Sequence, residues 1–192
     1  VLIGSKEGIA HLFLALTDFE DYVIIPDPAY PVYKAAANIA GCNICTMPLT
    51  FENNYLPKLS NIFEGVKNKA KLLVVNYPNN PTGAVANKSF FNELIKFGKD
   101  NNIVIVNDAA YAEIIDKSQQ PLSILQSDGA KDIAIEFGSL SKAFNMTGWR
   151  IGYVVGNREV IKRIVQLKTN FDSGQFIPIQ RAAALALDFA DV

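Results

Sequence analysis

Lys142 is the residue of this chain whose neighbours most clearly indicate reactive chemistry. It follows an apolar, strand-like run at residues 133–138, with Ser139 and Ser141 beside it and Arg150 eight residues further on. Partial loss of solvent and a nearby cation both lower the pKa of a lysine amine, and the neutral amine is the nucleophile that forms a Schiff base. A solvated surface lysine explains these neighbours poorly. The sequence therefore predicts a reactive amine at position 142.

Asp108 and two tyrosines supply further polar groups near the ends of apolar runs. Asp108 follows the run at residues 103–106, and a carboxylate there needs a partner because its desolvation is costly. It either caps the following segment or pairs with a positively charged ring nitrogen, which would keep both groups ionised. Tyr111 comes three residues later and Tyr30 follows another run. Both tyrosines are also open to a simple packing role.

Two turn-like segments complete the set of candidate groups. Gly4-Ser5-Lys6 opens a helical pattern, and the free backbone N–H groups of a helix N-terminus bind anions such as phosphate. Ser5 could equally be an ordinary helix cap. Asn80 begins the run Asn80-Pro81-Thr82-Gly83, which most simply forms a turn. Its carboxamide gains a binding role only where a ligand hydroxyl lies within reach.

Strand-length apolar runs alternate with helix-length amphipathic segments along the chain. This alternation predicts a three-layer α/β fold, a mostly parallel sheet with helices on both faces. The predicted strands are Tyr22–Pro26, Asn43–Pro48, Lys71–Asn76, Ile103–Asp108, Ala134–Gly138 and Ile151–Gly156. The predicted helices lie near Lys6–Leu16, Pro31–Ala40, Leu59–Lys67, Lys88–Asn101, Arg158–Lys168 and Pro178–Ala190.

The polar segments are expected to meet at one edge of this sheet. Ligands of open α/β sheets bind beyond the carboxyl ends of the strands, and the polar segments either follow a predicted strand or open the first helix. Together they supply an amine, a carboxylate, a phenol, a carboxamide and an anion-binding turn. That inventory matches the groups of pyridoxal 5′-phosphate.

The composition argues against several other classes of function. The chain has 192 residues, 49% of them hydrophobic, which is enough for the core of one domain without disulfides or a metal. Its formal net charge of −1, with scattered basic residues, gives no general attraction to nucleic acid or anionic lipid. Without a secretory leader or an apolar run of roughly 18 residues, we expect a soluble, cytoplasmic protein.

The cysteines and the single histidine are expected to be structural. Cys42 and Cys45 form an isolated Cys-x-x-Cys, and in a strand residues three apart point to opposite faces, so we predict neither a metal site nor a redox site. His11 lies in a helical pattern, where a buried structural role is the usual one.

The order of these segments resembles that of the class I and II aminotransferases, which are pyridoxal-phosphate enzymes of fold type I. The resemblance covers essentially the whole chain and rests on three patterns: Ser139-x-Ser141-Lys142 with Arg150, Asn79-Asn80-Pro81-Thr82-Gly83, and Asp108 with Tyr111. Residues 4–8, 27–31 and 172–174 are similar to the branch that contains LL-diaminopimelate and related aspartate or alanine aminotransferases.

The resemblance implies catalytic and ring-binding roles for five residues. Lys142 would form the Schiff base with the cofactor and later move the proton of the substrate α-carbon. Asp108 would pair with the pyridinium nitrogen and make the ring an electron sink. Asn80 and Tyr111 would hydrogen-bond the ring oxygen, while Tyr30 would stack on the ring.

The resemblance also implies a phosphate site, substrates and a partner. The phosphate would be held by Ser5, Lys6, Ser139 and Arg150. An amino acid would give its amino group to a 2-oxo acid in a ping-pong exchange. Family members are usually homodimers with the site at the interface, so the full-length protein is expected to be a homodimer.

The chain departs from the family in its length. Family members are about twice as long, and their N-terminal arm and C-terminal small domain have no counterpart in residues 1–192, which are expected to form the cofactor-binding large domain. The small domain carries the arginine that binds the substrate α-carboxylate. In many members the partner subunit also donates a tyrosine to the phosphate. The sequence thus predicts a cofactor cradle without a complete active site.

Three alternatives stay open at this point. The same scaffold serves pyridoxal-phosphate-dependent lyases, such as carbon–sulfur lyases. Some bacterial transcription regulators use it as a cofactor-sensing domain behind a winged helix. The chain by itself could also be inactive and hold no cofactor.

Overall fold

A computed structural model describes residues 1–116 and 122–189 and shows a six-stranded sheet between two layers of helices. The strands are β1 Tyr22–Asp27, β2 Asn43–Pro48, β3 Ala70–Val75, β4 Val104–Asp108, β5 Ala134–Ser139 and β6 Gly152–Gly156. They lie in the order β2-β1-β3-β4-β5-β6, with every neighbouring pair parallel except β5 and β6. The predicted mostly parallel α/β fold is therefore confirmed.

The helices correspond closely to the predicted ones, with two exceptions described below. They are α1 Ser5–Leu16, α2 Val32–Ile39, α3 Glu64–Lys67, α4 Lys88–Asn101, α5 Leu140–Ala143, α6 Arg158–Phe171 and α7 Ile177–Asp188. Asparagine caps fix the starts of α4 and α6, because the side chains of Asn87 and Asn157 accept hydrogen bonds from Phe90 N and Val160 N at 2.8 and 2.9 Å. Position Ala190 of the last predicted helix lies outside the described residues.

Alternate residues of the central strands face two separate apolar cores. Leu73 and Val75 of β3 pack on the side of α4, whereas Leu72 and Val74 pack on the side of α1, α2 and α6. All four side chains are at most 1% exposed. This burial on both faces explains why the strands read as continuous apolar runs. It also confirms that helices cover both faces of the sheet.

The predicted helix over Leu59–Lys67 is wrong. The segment instead contains a 3-10 turn at Leu59–Asn61 and the single turn of α3, separated by extended backbone at Ile62 and Phe63. Leu59 and Ile62 are both buried in the core beside α4. Tertiary packing of these two side chains overrides the local helical pattern.

The two cysteines are free and face opposite sides of the sheet, as their spacing predicts. Cys42 packs against the core beside α1, and Cys45 packs against the core beside α4. None of the helices in the described ranges is both long enough and apolar enough to cross a lipid bilayer.

Candidate active site

All nine predicted site residues line one cavity of about 590 Å³ at the carboxyl edge of the sheet. Four strands point into it with their carboxyl ends, and the antiparallel β6 begins at the same edge. The lining residues are Ser5, Lys6, Tyr30, Asn76, Asn80, Asp108, Ala110, Tyr111, Ser139, Ser141, Lys142, Thr147 and Arg150. Asn76, Ala110, Ser141 and Thr147 are additions that the sequence did not single out as binding residues.

Asp108 is the buried charge of the cavity. It ends β4 and is 4% exposed, and its Oδ2 accepts a hydrogen bond of 2.7 Å from the hydroxyl of Tyr33. Its Oδ1 is buried without a hydrogen-bond partner among the described residues. Burial raises the pKa of the Asp108 carboxyl to about 6, although the Tyr33 hydroxyl and the backbone N–H of Ala110 act to lower it. The free oxygen suits a positively charged donor inside the cavity.

Tyr33 is the main residue of this site that the sequence did not reveal. It is fully buried in α2, and its ring stands edge-on to Tyr30 with the centroids 6.0 Å apart. Burial, and then the neighbouring Asp108, raise the pKa of the Tyr33 hydroxyl well above its usual value, so it stays a donor. The available signal in the sequence was the position of Tyr33 in the first turn of a helix, three residues after Tyr30. A buried tyrosine usually needs a partner for its hydroxyl.

Asn76 joins the ends of β3 and β4 behind the cavity. Its side-chain oxygen accepts a hydrogen bond from Asn80 N at 2.8 Å, and its side-chain nitrogen donates to Asp108 O at 2.6 Å. Asn80 in turn donates to the hydroxyl of Tyr111 at 3.3 Å. These hydrogen bonds hold the Asn80 carboxamide and the Tyr111 phenol beside Asp108. We call this group of residues the Asp108 end: Tyr33, Asn76, Asn80, Asp108 and Tyr111.

The opposite side of the cavity, which we call the Arg150 end, consists of Gly4, Ser5, Ser139 and Arg150. Gly4 precedes α1 with φ 74° and ψ 155°, a conformation that is essentially restricted to glycine. A Cβ added there would collide with the Arg150 guanidinium, so the guanidinium lies directly against this backbone. Arg150 Nη1 also donates to Thr147 O at 2.7 Å. A cation and the N–H groups of a helix N-terminus therefore meet in one place, which is a typical anion site.

The backbone of β6 approaches the start of α1 too closely for any side chain. A Cβ on Gly152 would lie 2.8 Å from Ser5 N and 2.8 Å from Gly138 O. Leu2 and Gly152 exchange backbone hydrogen bonds of 2.9 and 3.2 Å. Ser139 caps the one-turn helix α5, because its Oγ accepts a hydrogen bond from Ser141 N at 3.2 Å. These contacts fix the Arg150 end mainly through the backbone.

Lys142 lies on α5 and lines the cavity, but it is exposed. The expected partial loss of solvent around its amine is therefore not found in this chain. The physical reason is local, since α5 has a single turn and the following Asn145, Thr147 and Gly148 are exposed as well. The side chain of Lys6 is also exposed, and its ammonium lies 5.3 Å from the ring centre of Tyr30.

These residues fit the cofactor that the sequence predicts. The unpartnered Oδ1 of Asp108 matches a protonated ring nitrogen, and the space beside Gly4 and Arg150 matches a phosphate. Lys142 offers a primary amine within the same cavity. An aldehyde with a basic ring nitrogen and a phosphate has a complementary group at each of these points.

The comparison with known sequences extends over the whole chain. The family "Aminotransferase class I and II" matches residues 1–192. The chain is 52% identical over 190 residues to the LL-diaminopimelate aminotransferase of Aquifex aeolicus, covering 99% of this chain and 49% of the relative. It is 53% identical to LL-diaminopimelate aminotransferase 2 of Trichormus variabilis, with the same coverage. The chain thus spans about half the length of the curated relatives it matches.

Solved structures agree with the sequence comparison. BacF from Bacillus subtilis superimposes with a TM-score of 0.95 at 38% identity, covering 97% of this chain and 50% of BacF. A probable N-succinyldiaminopimelate aminotransferase from Thermus thermophilus gives a TM-score of 0.93 at 38% identity, covering 98% and 50% of the two chains. On the evidence of both comparisons, this chain belongs to the class I and II aminotransferase family.

Proposed function

We propose that residues 1–192 form the large, cofactor-binding domain of a pyridoxal-phosphate-dependent aminotransferase, which transfers an amino group from an amino acid to a 2-oxo acid. The class I and II aminotransferases depend on this cofactor. The observation that carries the proposal is that Asp108, whose Oδ1 is buried without a partner among the described residues, and Lys142 line the same cavity. A structural role alone would not leave a buried carboxylate oxygen without a donor.

Each part of the cavity would hold a different part of the cofactor. Asp108 would bind the ring nitrogen, Asn80 and Tyr111 the ring oxygen, and Tyr30 one face of the ring. The phosphate would be bound at the Arg150 end by the following residues: Ser5, the backbone of Lys6, Ser139 and Arg150. Three separate attachments of this kind fix the orientation of the ring, and so select the substrate bond that is broken.

The reactive groups of the chain have distinct tasks. When bound, pyridoxal phosphate supplies an electron-accepting ring that stabilises the electron pair left at the substrate α-carbon. Lys142 would hold the cofactor through its amine, and the same amine, when free, would take up the proton of the substrate α-carbon. Asp108 would keep a proton on the ring nitrogen, because its ionised carboxylate would be the partner that this cation requires.

The proposed substrate is LL-diaminopimelate or a similar dicarboxylic amino acid. Support comes from the relatives of about 50% identity that carry that name. In the structure, Lys6 places an exposed ammonium at the cavity, within 5.3 Å of the Tyr30 ring, where it is able to meet a second carboxylate. The complete protein would act as a homodimer, as is usual in the family.

Covalent trapping tests the cofactor assignment directly. The complete protein is incubated with pyridoxal phosphate, reduced with borohydride, digested and analysed by mass spectrometry. The expected adduct is on Lys142, and it should be absent from Lys142→Ala but present in Lys162→Ala, which removes an exposed lysine of α6. An adduct at another lysine, or none in the unchanged protein, would contradict the assignment.

Substrate trials then separate a transferase from a lyase on the same scaffold. An aminotransferase converts the amino acid only when a 2-oxo acid is supplied, and it returns one amino acid for each one consumed. Release of ammonia and a 2-oxo acid without any acceptor would favour the lyase instead.

A further inference from the structure

Residues 168–175, which join the last turn of α6 to the start of α7, contact α1 through Glu7 and the Arg150 end through the main-chain carbonyl of Arg150. We call this stretch the 168–175 segment. Lys168 lies on α6, only 9% exposed, and Gln175 precedes α7. Neither residue lines the cavity. The segment is therefore in a position to hold the anion site without touching a ligand.

Lys168 forms the centre of a charged cluster with α1. Its ammonium donates to Glu7 Oε1 at 3.0 Å and to Asp172 Oδ1 and Oδ2 at 2.9 and 2.8 Å. Burial opposes its charge, but the hydrogen bonds to Asp172 and Glu7 outweigh burial and raise the pKa of Lys168. His11 Nδ1 lies 2.7 Å from Glu7 Oε1 without the alignment of a hydrogen bond. The ammonium therefore pairs with two carboxylates at once, one on α1 and one just after α6.

The ammonium of Lys168 binds the carboxylates of this cluster, in the place that a metal ion would otherwise take. Glu7, His11 and Asp172 bring potential ligand atoms within 4.8 Å of one another, which is the spacing of a cation site. Lys168 already bonds two of these three residues. The cluster thus acts as a structural tie between α1 and α6.

Glu7 also contacts the backbone just before α1. Its second oxygen, Oε2, accepts a hydrogen bond of 3.0 Å from the backbone N–H of Ile3. Ile3 directly precedes Gly4, whose conformation presents the N-terminus of α1 to the cavity. One carboxylate therefore links Lys168 to the backbone that turns into the anion site.

Gln175 supports the backbone of Arg150, which is the second component of the Arg150 end. Asp172 accepts a hydrogen bond of 2.7 Å from Gly174 N, which shapes the turn that leads to Gln175. The side-chain nitrogen of Gln175 then donates to Trp149 O at 3.0 Å and to Arg150 O. Arg150 has a positive φ of 52°, so its backbone needs such external support. The same segment thereby fixes both the helix terminus and the arginine.

We propose that Glu7, Lys168 and Gln175 are positioning residues for the phosphate group of the cofactor: they hold the N-terminus of α1 and Arg150 at the separation that the phosphate requires. This inference rests on the proposed function, because it assigns a purpose to contacts around the proposed phosphate site. The alternative is that the cluster only stabilises the packing of α1 on α6. The two explanations differ in what the loss of a contact does to phosphate recognition.

The test compares binding of pyridoxal phosphate with binding of pyridoxal, which lacks the phosphate. Both dissociation constants are measured by absorbance titration on the complete protein and its variants Glu7→Gln, Lys168→Met and Gln175→Ala. Each variant should lower the preference for the phosphate ester by about tenfold, because the start of α1 or Arg150 is no longer held beside the phosphate. The affinity for pyridoxal should change by less than about twofold.

A stability control keeps the test specific. Ile164→Val removes one methyl group from a fully packed residue on the same helix, and it lowers stability without touching the cluster. It should leave the preference ratio unchanged. If Lys168→Met does not fold, Glu7→Gln and Gln175→Ala carry the test, since both keep the ammonium bound to Asp172.

The outcomes separate this inference from the proposed function. Folded variants that keep the unchanged preference for pyridoxal phosphate would overturn the positioning role while leaving the proposed function intact. An unchanged protein that shows no preference between the two aldehydes would overturn both.

Discussion

At the Asp108 end of the cavity the groups are side chains that are buried or partly buried, whereas at the Arg150 end the contacts come mainly from backbone and from one exposed arginine. Asp108, Tyr33 and Asn76 are 4%, 0% and 1% exposed. Arg150 is exposed, and its neighbours Gly4 and Gly152 contribute only backbone. The two ends differ in burial because they would bind different charges. A single cation on a ring is best stabilised by a buried carboxylate, whereas a phosphate dianion keeps part of its hydration.

The two ends of the cavity are expected to control different properties, the rate of the reaction and the affinity for the cofactor. The Asp108 end carries an ionisable group whose protonation state is set by burial, so changes there should alter chemistry more than binding. The Arg150 end carries no comparably buried charge on its cavity side, so changes there should alter binding more than chemistry. Four experiments test this division, beginning with the largest expected effect.

Asp108→Asn should lower the rate of amino transfer on the order of 10²–10³-fold, because the neutral amide cannot hold the proton on the ring nitrogen. The loss of cofactor affinity should be much smaller. The measurement is steady-state transfer beside an absorbance titration of pyridoxal phosphate. Asp100→Asn, the same change at an exposed carboxylate of α4, serves as the control. Near-normal turnover in Asp108→Asn would refute the assigned role.

The protein without cofactor should lose stability as the pH rises through the titration of Asp108. Burial raises the pKa of this carboxyl from 3.8 to about 6, so the folded state holds the proton more tightly than the unfolded state does. Stability contributed by this group is therefore present below about pH 4 and falls until about pH 6, by roughly 3 kcal/mol. Urea unfolding across this pH range should show the fall in the unchanged protein and its absence in Asp108→Asn. Parallel pH curves would contradict it.

Gly4→Ala should weaken binding of pyridoxal phosphate by about tenfold, because the new methyl group forces a strained backbone and displaces the Arg150 guanidinium. Pyridoxal binding should be nearly unaffected. Gly65→Ala is a matched control, since nothing lies within 4 Å of a Cβ added there. Equal weakening of both aldehydes by Gly4→Ala would mean that the two ends are not independent.

Lys6→Ala should have the smallest effect. A pair between its exposed ammonium and a substrate carboxylate is worth on the order of 0.5–1 kcal/mol, so the KM for the proposed substrate, LL-diaminopimelate, should rise about two- to fivefold. Cofactor affinity should change less, because the backbone of Lys6 and not its side chain belongs to the proposed phosphate site. A loss confined to cofactor affinity would place the side chain at the phosphate instead.

The sequence alone was sufficient to predict the position of those site residues that end a strand or come just after one. Asp108, Ser139 and Lys142 stand at or just after strand ends, where the parallel fold itself determines their position. The alternation of apolar runs with amphipathic segments also located both ends of all six strands to within one residue. Local pattern and fold topology are enough for groups of this kind.

Contacts between distant segments could not be predicted in the same way. Tyr33 and Asp108 are separated by 75 residues, and Glu7 and Lys168 by 161, so neither pair leaves a spacing signal. The wrong helix at 59–67 has the same origin, because burial of Leu59 and Ile62 depends on their partners in the core. The short helix that carries Lys142 was also not predicted, since its single turn depends on the Ser139 cap.

The position of β2 at one edge of the sheet has a practical consequence. The lining residues come from segments around α1, β1, β3, β4, β5 and the start of β6, and β2 contributes to none of them. Residues 50–54, which follow β2, form an exposed turn at Phe51–Asn53 that ends in left-handed Asn54. Because β2 runs parallel to β1, this turn lies at the same carboxyl edge as the cavity, although none of its residues lines the cavity. A fluorescent label placed there would report from beside the cavity without replacing a lining residue. Since the turn contributes no lining residue, a short peptide tag inserted there would leave every group of the cavity in place in the sequence.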